Sequence, residues 1–207
     1  MSYDNKIKEL SIILPKAADP VGSYVATKIS GKFLFISGQI SMNENGELIK
    51  GKIGQDLNVE DGYNAAKRCA LSIVAQAKKA CGGDLSKIKS CIKLTGFVNS
   101  TNEFTEQPKV INGASDLIAS IFEDAGMHTR AAVSTNSLPL GVAVEVDAIF
   151  ELNWFNLSSN AKIFKTLSFN FSWWINISHI VDCKFFTFYQ ILKIYWFEVI
   201  PFCVNNY

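Results

Sequence analysis

The chain predicts an α+β domain of order β-β-α-β-α-β-β, with a single sheet carrying two helices on one face. Three observations point there. Two segments repeat apolar residues at helical spacing, Tyr63, Ala66, Ala70, Ile73, Val74 and Ala77 in one and Val110, Ile111, Ala114, Leu117, Ile118, Ile121 and Phe122 in the other. Runs rich in β-branched and aromatic residues flank and separate them. Turn chemistry falls between the runs, as Ser30-Gly31, Asn43-Glu44-Asn45-Gly46, Gly82-Gly83 and Leu138-Pro139-Leu140-Gly141.

In chain order, residues 22–29 and 32–40 read as two strands joined by Ser30-Gly31. Gly51 to Gly54 belongs to a flexible connection. A helix starts near Asn58, whose side chain can cap free backbone N–H groups, with Glu60 and Asp61 suited to the positive end of the helix dipole. Lys78 and Lys79 suit its other end, and Gly82-Gly83 terminates it. Residues 91–98 form a third strand. A second helix spans 108–125 and stops at Gly126. The last strands are 131–137 and 142–152, a hairpin or strand–turn–strand unit around the Leu-Pro-Leu-Gly turn.

Alternation in the final strand puts Val142, Val144, Val146, Ala148 and Phe150 on one side and Ala143, Glu145, Asp147 and Ile149 on the other. The second side mixes small, apolar and acidic groups, which suits a protein interface better than water.

The composition changes abruptly after Leu152. All 13 glycines precede that point and all 4 tryptophans follow it; residues 153–207 hold 16 of the 25 aromatics. This tail lacks a steady period of two or 3.6, unlike an evolved domain in which local and global signals agree. Three origins compete for it. A membrane anchor over Phe185 to Val204 is interrupted by Gln190, Lys193 and Glu198. An accessory segment could pack on the domain or a partner. Readthrough or out-of-frame translation fits best, because pattern and composition fail together. The expected division is therefore a domain at 1–152 and an atypical tail at 153–207.

A net charge of +1 gives no electrostatic footprint for nucleic acid or an anionic membrane. The first residues lack the apolar stretch of a signal peptide. The 5 cysteines form no CxxC pair, and fit reduced thiols in the cytoplasm, with Cys69 and Cys81 filling a buried helix side. With 2 histidines far apart, the sequence predicts no metal site and no cofactor.

One stretch concentrates candidate chemistry. Arg130 opens Arg130-Ala131-Ala132-Val133-Ser134-Thr135, and Glu145 lies in the apolar run Val142-Ala143-Val144-Glu145-Val146. A guanidinium fork matches a small carboxylate, and a glutamate among apolar neighbours needs a partner or a task. The residues alone favour a plainer reading, in which Arg130 caps a strand end and Glu145 faces water.

The spacing from Arg130 through Leu138-Pro139 to Glu145 resembles the C-terminal signature of the RidA/YjgF family of enamine/imine deaminases. Pro20-Val21-Gly22-Ser23-Tyr24-Val25 resembles that family's Gly-Pro-Tyr segment. Phe33-Leu34-Phe35-Ile36-Ser37-Gly38-Gln39-Ile40 resembles its strand ending in Ser-Gly-Gln, and Asn112 stands near its helix asparagine. The resemblance covers roughly residues 15–152. The Asn112-Gly113-Ala114-Ser115-Asp116 and His128-Thr129-Arg130-Ala131-Ala132-Val133 segments, and Ala132 where the archetype has cysteine, mark a divergent branch.

The resemblance implies a chorismate-mutase-like homotrimer with clefts between subunits. It also implies hydrolysis of 2-imino or enamino acids to 2-oxo acids and ammonia, without metal or cofactor. Arg130 would hold the substrate carboxylate and Glu145 would act on water. Tyr24, Asn112, Ser37 and Gly38 would shape the pocket, with the backbone near Gly38 free to approach the ligand. Plainer roles are a core aromatic for Tyr24, a helix-start cap for Asn112 and a surface histidine beside a strand for His128. The alternative function is a non-catalytic trimer that binds or senses small carboxylates. Ribonuclease activity, ascribed to some members, would need a basic stripe interleaved with aromatics, which is missing here.

Overall fold

The computed structural model describes residues 2–153. From residue 154 on, the atypical tail lies outside the described residues. The elements are α1 (Tyr3–Glu9), β1 (Thr27–Ser30), β2 (Phe33–Ile40), α2 (Val59–Ala80), β3 (Ile88–Asn99), α3 (Gln107–Phe122), β4 (Thr129–Thr135) and β5 (Val144–Leu152). The five strands form one sheet ordered β1-β2-β5-β3-β4. Every neighbouring pair is antiparallel except β3 and β4. This is the α+β architecture read from the sequence, with α1 added in front.

Both expected helices form, for the expected reasons. Asn58 accepts from the Asp61 backbone N–H at 2.9 Å while the Asp61 carboxylate accepts from the Asn58 backbone N–H at 3.0 Å, a reciprocal cap. The α3 stripe is buried at every one of its predicted positions, from Val110 to Phe122. α2 and α3 lie side by side on one sheet face. They approach so closely that a Cβ on Gly113 would fall 1.9 Å from the Tyr63 carbonyl oxygen. α3 seats on β3 where Gly96 leaves room for the Ile111 side chain. Cys69, on the buried side of α2, points its thiol at the Val144 carbonyl, and burial pushes that thiol well above its ordinary pKa.

Four details differ from expectation. α1 was not legible, because seven residues with one buried apolar side chain, Ile7, show no period. It is held by capping from Ser2, by Tyr3 packed edge-on against Phe122 and by an Asp4–Lys78 ion pair at 2.7 Å. β1 begins at Thr27, not at 22, since Gly22 has φ +140° and its neighbours stand in water. α3 ends at Phe122, four residues before Gly126, where Glu123 turns to φ 53°. Gly126 matters for clearance instead: a Cβ there would sit 2.6 Å from the Ile118 carbonyl oxygen.

The fourth difference is topological. β4 and β5 are not a hairpin; β4 pairs in parallel with β3, and β5 takes β3's other edge. The turn residues Pro139–Gly141 therefore carry the chain past the end of β3. The Asn99 side chain ties that crossing down by donating to the Val142 carbonyl at 3.1 Å.

Candidate functional site

Lateral neighbours in a sheet share a face, so the strand registers orient each candidate side chain. Arg130 is registered with Leu94, which is fully buried beneath the helices and is itself paired with Ala148. Arg130 thus rises from the edge strand on the helix side. Its Nη1 donates to Asn112 Oδ1 at 2.8 Å and to Ser115 Oγ at 3.0 Å, both on α3. Among the described residues its Nε and Nη2 make no hydrogen bond. The outer edge of the fork is open, and the residue is exposed.

Glu145 belongs to the other face. Val144 and Val146 on either side of it are fully buried toward the helices, and Glu145 is registered with Ile40 and Phe97. The register between β2 and β5 shifts between Ile36 and Gln39, so Ser37 and Gly38 stand opposite the single residue Asp147. The Glu145 carboxylate lies directly over Gly38; a Cβ there would fall 1.9 Å from Oε1. Burial, and next the nearby Asp147 carboxylate, raise the Glu145 pKa above the ordinary glutamate value. A carboxyl group so placed exchanges protons nearer neutral pH than a solvated one.

Ser37 lies beside this glutamate but turns its hydroxyl to the Val25 carbonyl at 2.8 Å, tying β2 to the segment before β1. Tyr24 is 53% exposed in that segment, so its ring is no core aromatic. Asn112 sits within α3 and accepts from Arg130, so it is no helix-start cap. His128 is half-buried, not a free surface group: Nε2 is 3.0 Å from Ser115 Oγ and Nδ1 is 2.7 Å from the Gly126 carbonyl oxygen.

Five of the six predicted residues therefore gather into two groups, while Tyr24 is exposed in the segment before β1. Arg130 and Asn112 share the helix side near the β4 edge, while Glu145, Gly38 and Ser37 cluster about the β2 bulge on the open side. Sequence reasoning missed Ser115 and the hydrogen-bonding role of His128. The available signal was spacing: Ser115 follows Asn112 by three positions on one helix face.

Beside Asp147 and Thr95, the open face also carries a run of apolar side chains. Phe35 and Val133 are 42% and 46% exposed, and Phe97 and Ile149 are half-buried between them. Among the described residues no helix is long and apolar enough to cross a membrane.

A family model described as "YjgF/chorismate_mutase-like, putative endoribonuclease" matches residues 5–152. The chain belongs to the YjgF/RidA family. Protein TCP17 of Trypanosoma cruzi is 49% identical over 148 residues, spanning 71% of this chain and 92% of that protein. The 2-iminobutanoate/2-iminopropanoate deaminase of Homo sapiens is 26% identical over 135 residues, spanning 65% of this chain and 83% of its own. Among solved structures, a protein of unknown function from Agrobacterium tumefaciens superposes with a TM-score of 0.67 at 47% identity, covering 73% of this chain and 92% of that one. A putative endoribonuclease from Shewanella oneidensis gives 0.70 at 34% identity, covering 73% of this chain and 100% of that one.

Proposed function

We propose that the protein hydrolyses 2-imino acids to 2-oxo acids and ammonia, in a cleft completed by a second copy of the chain within a homotrimer. The observation that carries this reading is the division of the candidate residues between two faces of one sheet. A guanidinium with an open edge and a carboxyl group of raised proton affinity suit the two ends of such a substrate. A single subunit directs them to opposite sides. Apposition of one copy's Arg130 edge with a neighbour's open face brings them together, and the exposed apolar side chains of that face favour such burial.

Arg130 grips the carboxylate through two parallel N–H donors. Water attacks the C=N carbon while Glu145 accepts a proton from it. A proton passes to the nitrogen, the C–N bond breaks, ammonia leaves and the carbon–oxygen double bond forms. Atoms balance as imine plus water giving oxo acid plus ammonia. The similarity to the 2-iminobutanoate/2-iminopropanoate deaminase supports this chemistry.

Subunit mixing tests it, with freshly generated imino acids as substrates. Arg130→Ala and Glu145→Gln trimers are each expected to be inactive. Unfolded together and reassembled, they should recover about a quarter of parental activity, since a random cleft draws intact Arg130 from one chain and intact Glu145 from its neighbour. No recovery in verified mixed trimers would defeat the shared cleft. A parent that binds 2-oxo acids but turns over no imine would be a carboxylate-binding protein instead.

A further inference from the structure

The sequence assigns Ser115 and His128 no role at the site, yet they form a continuous hydrogen-bond chain ending at Arg130. A carbonyl oxygen only accepts, so the 2.7 Å contact between His128 Nδ1 and Gly126 O requires the ring proton on Nδ1. In the neutral ring Nε2 is then an acceptor. The Ser115 hydroxyl, 3.0 Å away, donates to it. That commits the Ser115 proton and turns an oxygen lone pair to Arg130, whose Nη1 donates at 3.0 Å. Asn112 Oδ1 takes the other proton of the same nitrogen at 2.8 Å. Both Nη1 protons are used, and the fork is held with its Nε–Nη2 edge outward.

We propose that Ser115 and His128 are positioning residues that fix which edge of the Arg130 guanidinium meets a ligand carboxylate. The proposal rests on the reading of Arg130 as the carboxylate-binding group. An exposed arginine samples many rotamers, and each must be given up on binding. A side chain already restrained at Nη1 gives up fewer. His128 acts through the direction it imposes on the Ser115 proton: without it the hydroxyl is free to rotate and present its hydrogen to a cation.

The test compares binding of 2-oxobutanoate with that of its uncharged amide by calorimetry, using the full chain. Ser115→Ala should weaken the acid about tenfold and leave the amide unchanged. Ser115→Thr, which keeps the hydroxyl, should restore it. His128→Phe should act in the same direction as Ser115→Ala, and on imine substrates both should raise KM with kcat held. Equal weakening of acid and amide, or no change in either, overturns the proposal. If the parent binds neither probe, the proposed ligand class fails instead, and nitrogen NMR of the neutral imidazole decides the network alone. A proton on Nδ1, with an Nε2 shift that moves on Ser115→Ala, supports it. A proton on Nε2, or an Nε2 signal indifferent to Ser115→Ala, overturns it.

Discussion

Arg130 and Glu145 stand on opposite faces of one sheet, with β3 lying between their strands. Their order in the sequence suggests a pair brought together by a turn, whereas the fold separates them.

Replacing Arg130 with alanine should weaken 2-oxo acid binding by roughly 2–5 kcal/mol, the cost of stripping a charge-assisted partner from a desolvated carboxylate. Lysine at this position should recover little, because an ammonium lacks the planar fork. Calorimetric titration of each variant reads this directly. Unchanged affinity in Arg130→Ala would remove Arg130 from the site.

Glu145→Gln should cut turnover by roughly 10²–10⁴-fold while still allowing 2-oxo acid binding. It has a second signature. The folded state raises the Glu145 pKa, so it binds a proton more tightly than the unfolded chain does. That favourable contribution is complete below the ordinary glutamate range and is lost as pH rises through the raised value. The glutamine variant should therefore melt higher than the parent at neutral pH, with the gap closing on acidification. A gap that widens toward acid would reverse the sign of the shift.

Gly38→Ala should expel the Glu145 carboxylate from its seat, since the new methyl group would lie 1.9 Å from Oε1 and 2.8 Å from Cδ. The carboxylate is the movable end of a side chain, so the fold should survive at a cost of about 1–3 kcal/mol. Turnover should fall to the level of Glu145→Gln, and combining the two substitutions should cost no further activity. Additive losses would show that Gly38 acts independently of the glutamate.

A chain ending at Asn153 should fold, assemble as a trimer and be more soluble than the full chain, because aromatic-rich sequence with few interspersed charges promotes aggregation. The cut belongs after Asn153, whose backbone N–H donates to Lys87 O and whose side chain donates to Ser86 O, each at 2.8 Å. Light scattering and imine turnover on the shortened chain check this. Loss of folding or activity would give the tail a role.

The legible parts were those where a repeating signal is enforced by burial. The α3 stripe and the alternation around Val144 and Val146 were readable because a shift in register would expose the whole set. The Asn58 cap was readable because its partners are local. The facing of Arg130 was not, since Ala131 and Ala132 suit either side of a strand and β4 lies at an edge. The parallel pairing of β3 and β4 was hidden for a related reason: nothing in Leu138 to Gly141 distinguishes a tight hairpin from a crossing. Ser115 and His128 became significant only once α3 and β4 were placed side by side.

Gly113 lies between Asn112 and Ala114, and its missing side chain lets α3 settle against the Tyr63 carbonyl. A helix turned about its long axis carries every side chain with it, so this close seam fixes the direction in which Asn112 and Ser115 point. The steering of Arg130 is thereby governed from another face of α3, at a contact between two helices. Substitutions along that seam that leave the fold intact should retune carboxylate affinity, giving the branch a way to change its chemistry without altering a single polar residue.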